Sequence, residues 1–314
     1  MKIISFDKIK KLNIEPITCY EWVSDMIAIK KEALLPAKIS MKPDLYGVFY
    51  NVMPAIIPSV KRGGVKLITR YPERKPSLDS EILLYDLNTG ENIALLDGNW
   101  ITAMRTGAVA AHSVKLLAIE SFKEIGIIGL GNTARAALKV LLAIYPERKF
   151  TIKLKMYKEQ HELFAEEFAS FSNVNFLFCK TFEEVIYNSD VILSAATILE
   201  EDVCSDDYFK EGVLVVPVHT RGFTNCDLFF DKLFADDTNH VKGFKYFNQY
   251  KYFAEISDVF SGMKPGRENN KERILAYNIG IALHDIYFAG KIYEMLKDVC
   301  EDISLNAPID KFWV

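Results

Sequence analysis

The stretch that most constrains this chain is Lys123–Thr133, KEIGIIGLGNT. A short apolar run, Ile125 to Ile128, opens onto Gly129-Leu130-Gly131-Asn132-Thr133-Ala134, and an alanine-rich stretch at helical spacing continues to Tyr145. A buried strand, a tight turn and a helix start in the order G-x-G-x-x-A predict a dinucleotide-binding turn. Gly129 permits the sharp bend, Gly131 lets the backbone approach a diphosphate, and Ala134 lets helix pack closely on strand. The helix N-terminus then turns free N–H groups and a partial positive charge toward the phosphates, with Asn132 and Thr133 in its first turn.

The surrounding pattern supplies the scaffold such a turn needs. Apolar strands are expected at 125–128, 151–157, 174–179, 190–195 and 213–218, alternating with helices at 134–145, 159–171 and 182–187 and a short one near 205–210. This is the rhythm of a doubly wound parallel sheet, whose strands are covered on both faces. Upstream, residues 17–36 read as an amphipathic helix stopped by Pro36. Runs at 38–41, 46–53, 64–68, 81–86 and 93–96 follow with no helix between them, and Asp86–Gly90 forms a hairpin turn between the last two. They predict a separate antiparallel layer. A long helix over 99–118 leads to the glycine strand, and a late helix runs from Lys271 to Leu296. The expected fold is α/β: a Rossmann doubly wound parallel sheet plus an N-terminal antiparallel α+β domain. The first domain takes residues 1–118 with the C-terminal helix (about 271–314), and the dinucleotide-binding domain takes 119–270.

Composition narrows the setting. A chain of 314 residues accommodates two domains at about 150 residues each. Half its residues are hydrophobic and a quarter charged, which favours a packed core over disorder. The net charge of −4, with lysine and arginine spread throughout, argues against a nucleic-acid partner. The five cysteines show neither a C-x-x-C pair nor a histidine at ligand spacing, so reduced thiols are expected and a metal site is not. Asp206-Asp207 and Asp236-Asp237 read as solvated loop and helix-start acids, and His112 and His284 as packing or surface residues. No apolar run reaches membrane-spanning length and the first residues lack a signal-peptide pattern, so a cytoplasmic protein with no membrane partner is expected.

Four motifs in order, Met53-Pro54, Gly64-Val65-Lys66, WITAMRTGA over 100–108 and GLGNTAR, make the chain resemble the ornithine cyclodeaminase/mu-crystallin family. TAMRTGA ahead of the glycine loop is the most specific of them. The resemblance implies an N-terminal domain that binds substrate and forms a homodimer, sheets from two subunits meeting as a barrel. It also implies a Rossmann domain, with the C-terminal helix returning to the first domain. Activities in the family include ornithine cyclodeamination, alanine dehydrogenation, cyclic imino acid reduction and an opine-like oxidation. The implied substrate is a small amino or imino acid. Arg105 would hold its α-carboxylate, for which a guanidinium fork is suited, and would lie beside the cofactor with Thr106 turned to the diphosphate. Lys66 matches the family's substrate-contacting lysine, Lys38 stands where relatives carry a basic residue for the same carboxylate, Met53 lines the substrate, and Ser80 matches a cofactor-facing hydroxyl.

The second strand of the Rossmann unit selects the cofactor. An acid at its tip would accept from the ribose 2′-OH of NAD, whereas a basic residue suits a 2′-phosphate. Here the strand ends Leu154-Lys155-Met156-Tyr157-Lys158, which favours NADP(H) over NAD(H), although Glu159 follows immediately. Ala195 and Thr197 end the fourth strand, Val218 the fifth, and Asn278 stands where the family has a serine near the nicotinamide. The largest departure lies in VPVHTRGFTNCDL, 216–228: Arg221 falls where cyclodeaminases carry the proton-transferring aspartate. An arginine cannot be a general base. His219 is the nearest titratable group, and Arg221 suits a second substrate carboxylate. The expected activity is therefore NAD(P)-dependent oxidoreduction at the C–N bond of an amino or imino acid. Two alternatives stand beside it: a non-catalytic, mu-crystallin-like NADP(H) binder, and a true cyclodeaminase using another proton-transfer residue.

Overall fold

The computed structural model describes residues 1–196, 203–219, 226–305, 308 and 310–311. The chain divides into two compact units. The first comprises Met1–Asn13, Glu32–Ile101 and the residues from Asp285 onward; the second comprises Ile14–Lys31 and Thr102–His284.

The first unit opens with β1 (Lys2–Ile4) and α1 (Phe6–Lys11); the chain gives α2 (Pro16–Ala28) to the second unit. It then adds β2 (Ile39–Met41), β3 (Phe49–Ile57), β4 (Arg62–Arg70), β5 (Leu78–Asp86) and β6 (Asn92–Asp97). The sheet runs β1-β6-β5-β4-β3-β2. Strands β2 to β6 are antiparallel as expected, but β1 lies parallel to β6, so the sheet is mixed. The expected turn is present, with Gly90 at φ +75° donating its N–H to the Asp86 carbonyl at 2.9 Å. Strand β3 runs on through Pro54, where the sequence suggested a stop. The side of Pro54 that lacks an N–H faces a gap between the Ile39–Val52 pair and the Leu34–Ile56 bridge, where the ladder needs no donor. Alternation sorts the two faces. Met53, Ala55, Ile57, Lys66, Ile82 and Leu84 point to the buried face, while Val52, Pro54, Ile56, Val65, Leu67 and Leu83 form a half-buried to exposed apolar face. A Cβ on Gly64 would strike the Leu83 carbonyl and lie 2.7 Å from the Ile286 side chain, so this glycine lets the C-terminal helix lie close on the sheet.

The second unit takes most of α3 (Asn99–Leu117), then β7 (Glu124–Ile128), α4 (Asn132–Ile144), β8 (Phe150–Lys155), α5 (Gln160–Glu167), β9 (Val174–Cys179), α6 (Phe182–Ile186) and β10 (Val191–Ser194). It continues with β11 (Leu214–Pro217), β12 (Lys232–Ala235), α7 (Thr238–Val241), β13 (Phe253–Glu255), α8 (Ile256–Phe260) and β14 (Ile274–Tyr277), and α9 (Ala282–Leu296) begins at its end. Every pairing in its sheet, ordered β13-β12-β14-β11-β10-β7-β8-β9, is parallel. Ile128, Ile192, Val215, Leu233 and Leu275 meet in one buried cluster.

Three expectations need revision here. The late helix begins only at Ala282: Ile274–Tyr277 is a buried strand between β11 and β12, and Gly280 at φ +96° reverses the chain before α9. Helix α2 stops at Ala28 rather than Pro36, because Lys30 turns inward to meet Glu255 at 2.6 Å and Asp237 at 3.1 Å. That helix packs on α4 and α8, so residues 14–31 cluster with the parallel sheet instead of with the N-terminal domain, as do residues 102–118.

Candidate active site

The glycine turn has the geometry its sequence implies. Gly129 sits at φ +84°, and a Cβ there would lie 2.6 Å from the Ala195 carbonyl carbon and the Ala196 Cα. Only glycine lets β7 turn so close beneath the end of β10. Gly131 caps α4 in extended conformation, and nothing lies within 4 Å of where its Cβ would be. That open backbone, followed by the unpaired N–H groups of a thirteen-residue helix, fits a diphosphate. Ala134 is buried, as close packing requires. Arg135 braces the turn by donating to the Leu130 carbonyl, while its Nε meets Glu167 at 2.6 Å. A nicotinamide dinucleotide therefore has a fitting cradle at Gly129–Ala134.

The MRTGA motif gains its physical reason from helix packing. A Cβ on Gly107 would lie 2.5 Å from the Ala137 nitrogen and 2.6 Å from the Ala136 carbonyl carbon, so Gly107 lets α3 lie directly against the first turns of α4. Arg105, two residues earlier, is 5% exposed, and its Nη1 reaches to 2.8 Å of where a Gly280 Cβ would stand. The Thr106 hydroxyl donates to the Thr102 carbonyl of its own helix at 2.6 Å. Asn278 is buried, accepts from the Ser113 hydroxyl of α3 at 3.1 Å and donates its backbone N–H to the Pro217 carbonyl at the end of β11.

The carboxyl ends of β10 and β11 add a polar pair. His219 Nε2 lies 2.5 Å from the hydroxyl of Ser194, which is buried at the last position of β10. Val218 and Ala195 are half-buried beside them, Val218 donating to the Ser194 carbonyl and Ala195 to the Ile128 carbonyl. Glycine turn, Arg105, His219 and Asn278 thus gather at one edge of the parallel sheet, where open α/β sheets bind ligands. Thr197 and Arg221 lie outside the described residues. At the tip of β8 the Tyr157 ring is exposed and Lys158, at φ +47°, holds its ammonium 5.3 Å from that ring's centre.

Sequence reasoning passed over three groups here. Ser194 carries no signal beyond its place in an apolar strand. Asp227 is buried and accepts from the Tyr277 hydroxyl at 2.6 Å and the Tyr250 hydroxyl at 2.8 Å. Burial pushes its carboxyl up to about 6, against the pull of the two tyrosines. Asp236 is no solvated acid: it is buried and accepts the Gly280 N–H at 2.5 Å. Burial opposes its ionisation, but the His240 ring beside it and the N–H it accepts from Gly280 keep the carboxyl below its ordinary range. Asp237 is the helix-start acid expected, capping α7 through the Asn239 N–H. His112 is a packing residue, its ring 5.8 Å from Tyr20 and 5.0 Å from Phe260, and burial lowers it to about 4.

In the first unit Lys66 lies in the central strand β4, directly opposite Met53 of β3 and Ile82 of β5. Its ammonium meets the Asp285 carboxylate at 2.8 Å, and both side chains are 0% exposed. Asp285 had no signal in the sequence beyond a position in the first turn of a helix, 219 residues away. Ser80 is buried, takes Gly98 against its carbonyl, and donates its backbone N–H to Asn99 at 3.1 Å. Lys38 is half-buried just before β2. Among the described residues no group of three or more His, Cys, Asp or Glu side chains could hold a metal ion, and no helix is long and apolar enough to cross a membrane.

Relatives extend this picture. The chain is 29% identical over 282 residues to the nodulation efficiency protein NfeD of Rhizobium meliloti, covering 86% of each chain. It is 27% identical over 264 residues to the Delta(1)-pyrroline-2-carboxylate reductase of Bacillus cereus, covering 77% of this chain and 80% of the reductase. Its structure matches that of Thermococcus litoralis Delta(1)-pyrroline-2-carboxylate reductase, solved with NADH and L-proline, at a TM-score of 0.84 and 25% identity, over 96% of this chain and 100% of that one. The sequence profile of the ornithine cyclodeaminase/mu-crystallin family matches residues 23–299, and the chain belongs to that family.

Proposed function

We propose that this protein is an NAD(P)H-dependent imino acid reductase that turns a small cyclic imino acid into the corresponding amino acid. The observation that carries the reading is Arg105, a nearly buried guanidinium at the same sheet edge as an open glycine turn. When bound, the nicotinamide supplies the hydride. Arg105 would grip the α-carboxylate in bidentate fashion; Lys66 keeps the substrate-contacting role that the family pattern gives it. Fixing the carboxylate fixes the neighbouring imine carbon, so positioning supplies much of the acceleration. Reduction forms one C–H and one N–H bond, and the latter needs a proton. His219, hydrogen-bonded to Ser194, is the group that would deliver it. Arg221 in place of the family's aspartate speaks against ornithine cyclodeamination, and the named activity of two pyrroline-carboxylate reductase relatives supports the imino acid reading.

The finer assignments rest on particular residues. Lys155 and Lys158 at the end of β8, with no acid between them, favour NADP(H), whose 2′-phosphate they would meet. In this reading the first unit binds substrate and forms the dimer, and the second binds the dinucleotide with Val218 near it. The apolar outer face of the first sheet, including Ile56 at 39% and Leu67 at 36% exposure, supports a homodimer. The free, buried cysteines support a reducing, cytoplasmic setting. The test is loss of cofactor absorbance at 340 nm with Delta(1)-pyrroline-2-carboxylate, run separately with NADPH and NADH, in native protein and Arg105→Ala. Turnover that prefers NADPH and collapses in the variant supports the proposal; cofactor binding without turnover across cyclic imino acids would show a binder instead.

A further inference from the structure

The turn between β14 and α9 holds an arrangement that the proposed chemistry leaves unexplained. Gly280 adopts φ +96°, a conformation side chains resist, and a Cβ there would stand 2.8 Å from Arg105 Nη1, 3.2 Å from Nη2 and 3.5 Å from Cζ. Both terminal nitrogens are nearer than Cζ, so the guanidinium turns its Nη1–Nη2 end, edge-on, toward the bare α-carbon of Gly280. That glycine is itself held: its N–H donates at 2.5 Å to Asp236, a buried carboxylate at the end of β12. Asp236 is in turn set by its surroundings, with His240 Nδ1 3.7 Å from its other oxygen. Two residues before Gly280, the side chain of Asn278 ties the same turn to Ser113 of the helix that carries Arg105.

An arginine has several rotatable bonds, and holding it in one pose needs steric contact at the guanidinium as well as charge. We infer that Gly280, fastened through its backbone to the buried carboxylate of Asp236, is the seat that aims the Arg105 guanidinium and thereby sets affinity for the substrate carboxylate. The inference rests on the reading of Arg105 as the carboxylate-binding group. Gly280 and Asp236 are positioning residues, neither touching the reacting atoms. The nearest obstruction to a Cβ is the far end of the arginine, so an added methyl displaces the guanidinium in addition to the backbone strain that any side chain meets at φ +96°.

The test uses the full chain with saturating NADPH and Delta(1)-pyrroline-2-carboxylate, and compares native protein with Arg105→Ala, Gly280→Ala, Asp236→Ala and Asp236→Asn. The seat predicts that Gly280→Ala raises KM for the imino acid at least tenfold while the NADPH dissociation constant stays within twofold. Asp236→Ala should do the same. Asp236→Asn keeps an oxygen for the Gly280 N–H and should recover most of the affinity, a rescue that a purely electrostatic role for the acid would not give. A KM within twofold of native in both Gly280→Ala and Asp236→Ala, with Arg105→Ala strongly impaired, overturns the seat and leaves Arg105 in its role. An unchanged KM in Arg105→Ala overturns the carboxylate reading and the seat with it. If Gly280→Ala does not fold, the two Asp236 variants decide alone: equal impairment of both overturns the inference.

Discussion

The Lys66–Asp285 pair offers the sharpest energetic test of how the first unit is built. Both side chains are 0% exposed and meet at 2.8 Å, so removing one partner strands a charge out of water. Truncating one member of such a pair costs about 3–5 kcal/mol, whereas replacing both by apolar groups of similar volume is close to neutral. Asp285→Leu and Lys66→Met should each lose that amount, and Lys66→Met/Asp285→Leu should lose no more than roughly 1–2 kcal/mol. At about 2–4 °C per kcal/mol for chains of this order, each single variant should melt roughly 6–20 °C lower and the double variant close to native. Thermal unfolding at pH 7 of all four proteins gives the double-mutant cycle, and the imino acid assay gives its functional counterpart. The double variant should be stable yet impaired in KM, because Lys66 is gone. Additive losses, or single variants that melt within about 2 °C of native, would refute the reasoning by showing that water or neighbouring groups already compensate each charge.

Four further outcomes follow from the geometry. Gly131→Ala should leave stability within about 0.5 kcal/mol, since nothing lies within 4 Å of the new Cβ, yet weaken NADPH binding at least tenfold by filling the diphosphate cradle. Gly129→Ala, whose Cβ meets Ala195–Ala196 backbone at φ +84°, should lose both fold stability and binding; calorimetry and fluorescence titration separate the two. Asp227 titrates near 6 in the fold instead of at its ordinary 3.8, so between those values the native state binds the extra proton. Its contribution to stability therefore falls as pH rises through that window, by roughly 3 kcal/mol in all. Asp227→Asn should gain on the native protein from pH 4 to 6 and hold level above, and a flat difference in denaturant stability would contradict this. Leu67→Asp on the exposed apolar sheet face should convert the proposed homodimer into monomers by light scattering with the fold retained, and a native protein that is already monomeric, or an unchanged dimeric mass in the variant, would contradict the proposed contact.

What could be read from the sequence was what local chemistry determines. The glycine turn is legible because a sharp bend, an open backbone and a close helix each require a small residue at a fixed place, and all three appear as expected. Five strands of the parallel sheet, β7 to β11, are legible because helices alternate with them, whereas the short strands β12 and β13 are not among the expected ones. Strand β14 was read as helix because four buried residues, ILAY, have no period that separates strand from helix. Only its partners β11 and β12, far along the chain, decide. Buried acids were the systematic blind spot. Asp236 and Asp285 look solvated until Gly280 and Lys66 are brought beside them. Gly107 shows the intermediate case: the motif was recognisable, but its cause, the Ala136–Ala137 backbone of α4, is a tertiary contact. Helix α2 was recognised, while its docking on α4 and α8 was not.

The most direct measurement is the fate of the transferred hydrogen. NADPH carrying deuterium at both C4 positions of the nicotinamide is incubated with the protein and Delta(1)-pyrroline-2-carboxylate, and the proline formed is analysed by mass spectrometry. Imino acid reduction at this site predicts proline with deuterium on its α-carbon, formed by the native protein and not by Arg105→Ala. Proline without that label, or oxidation of the cofactor with no amino acid formed, would contradict it.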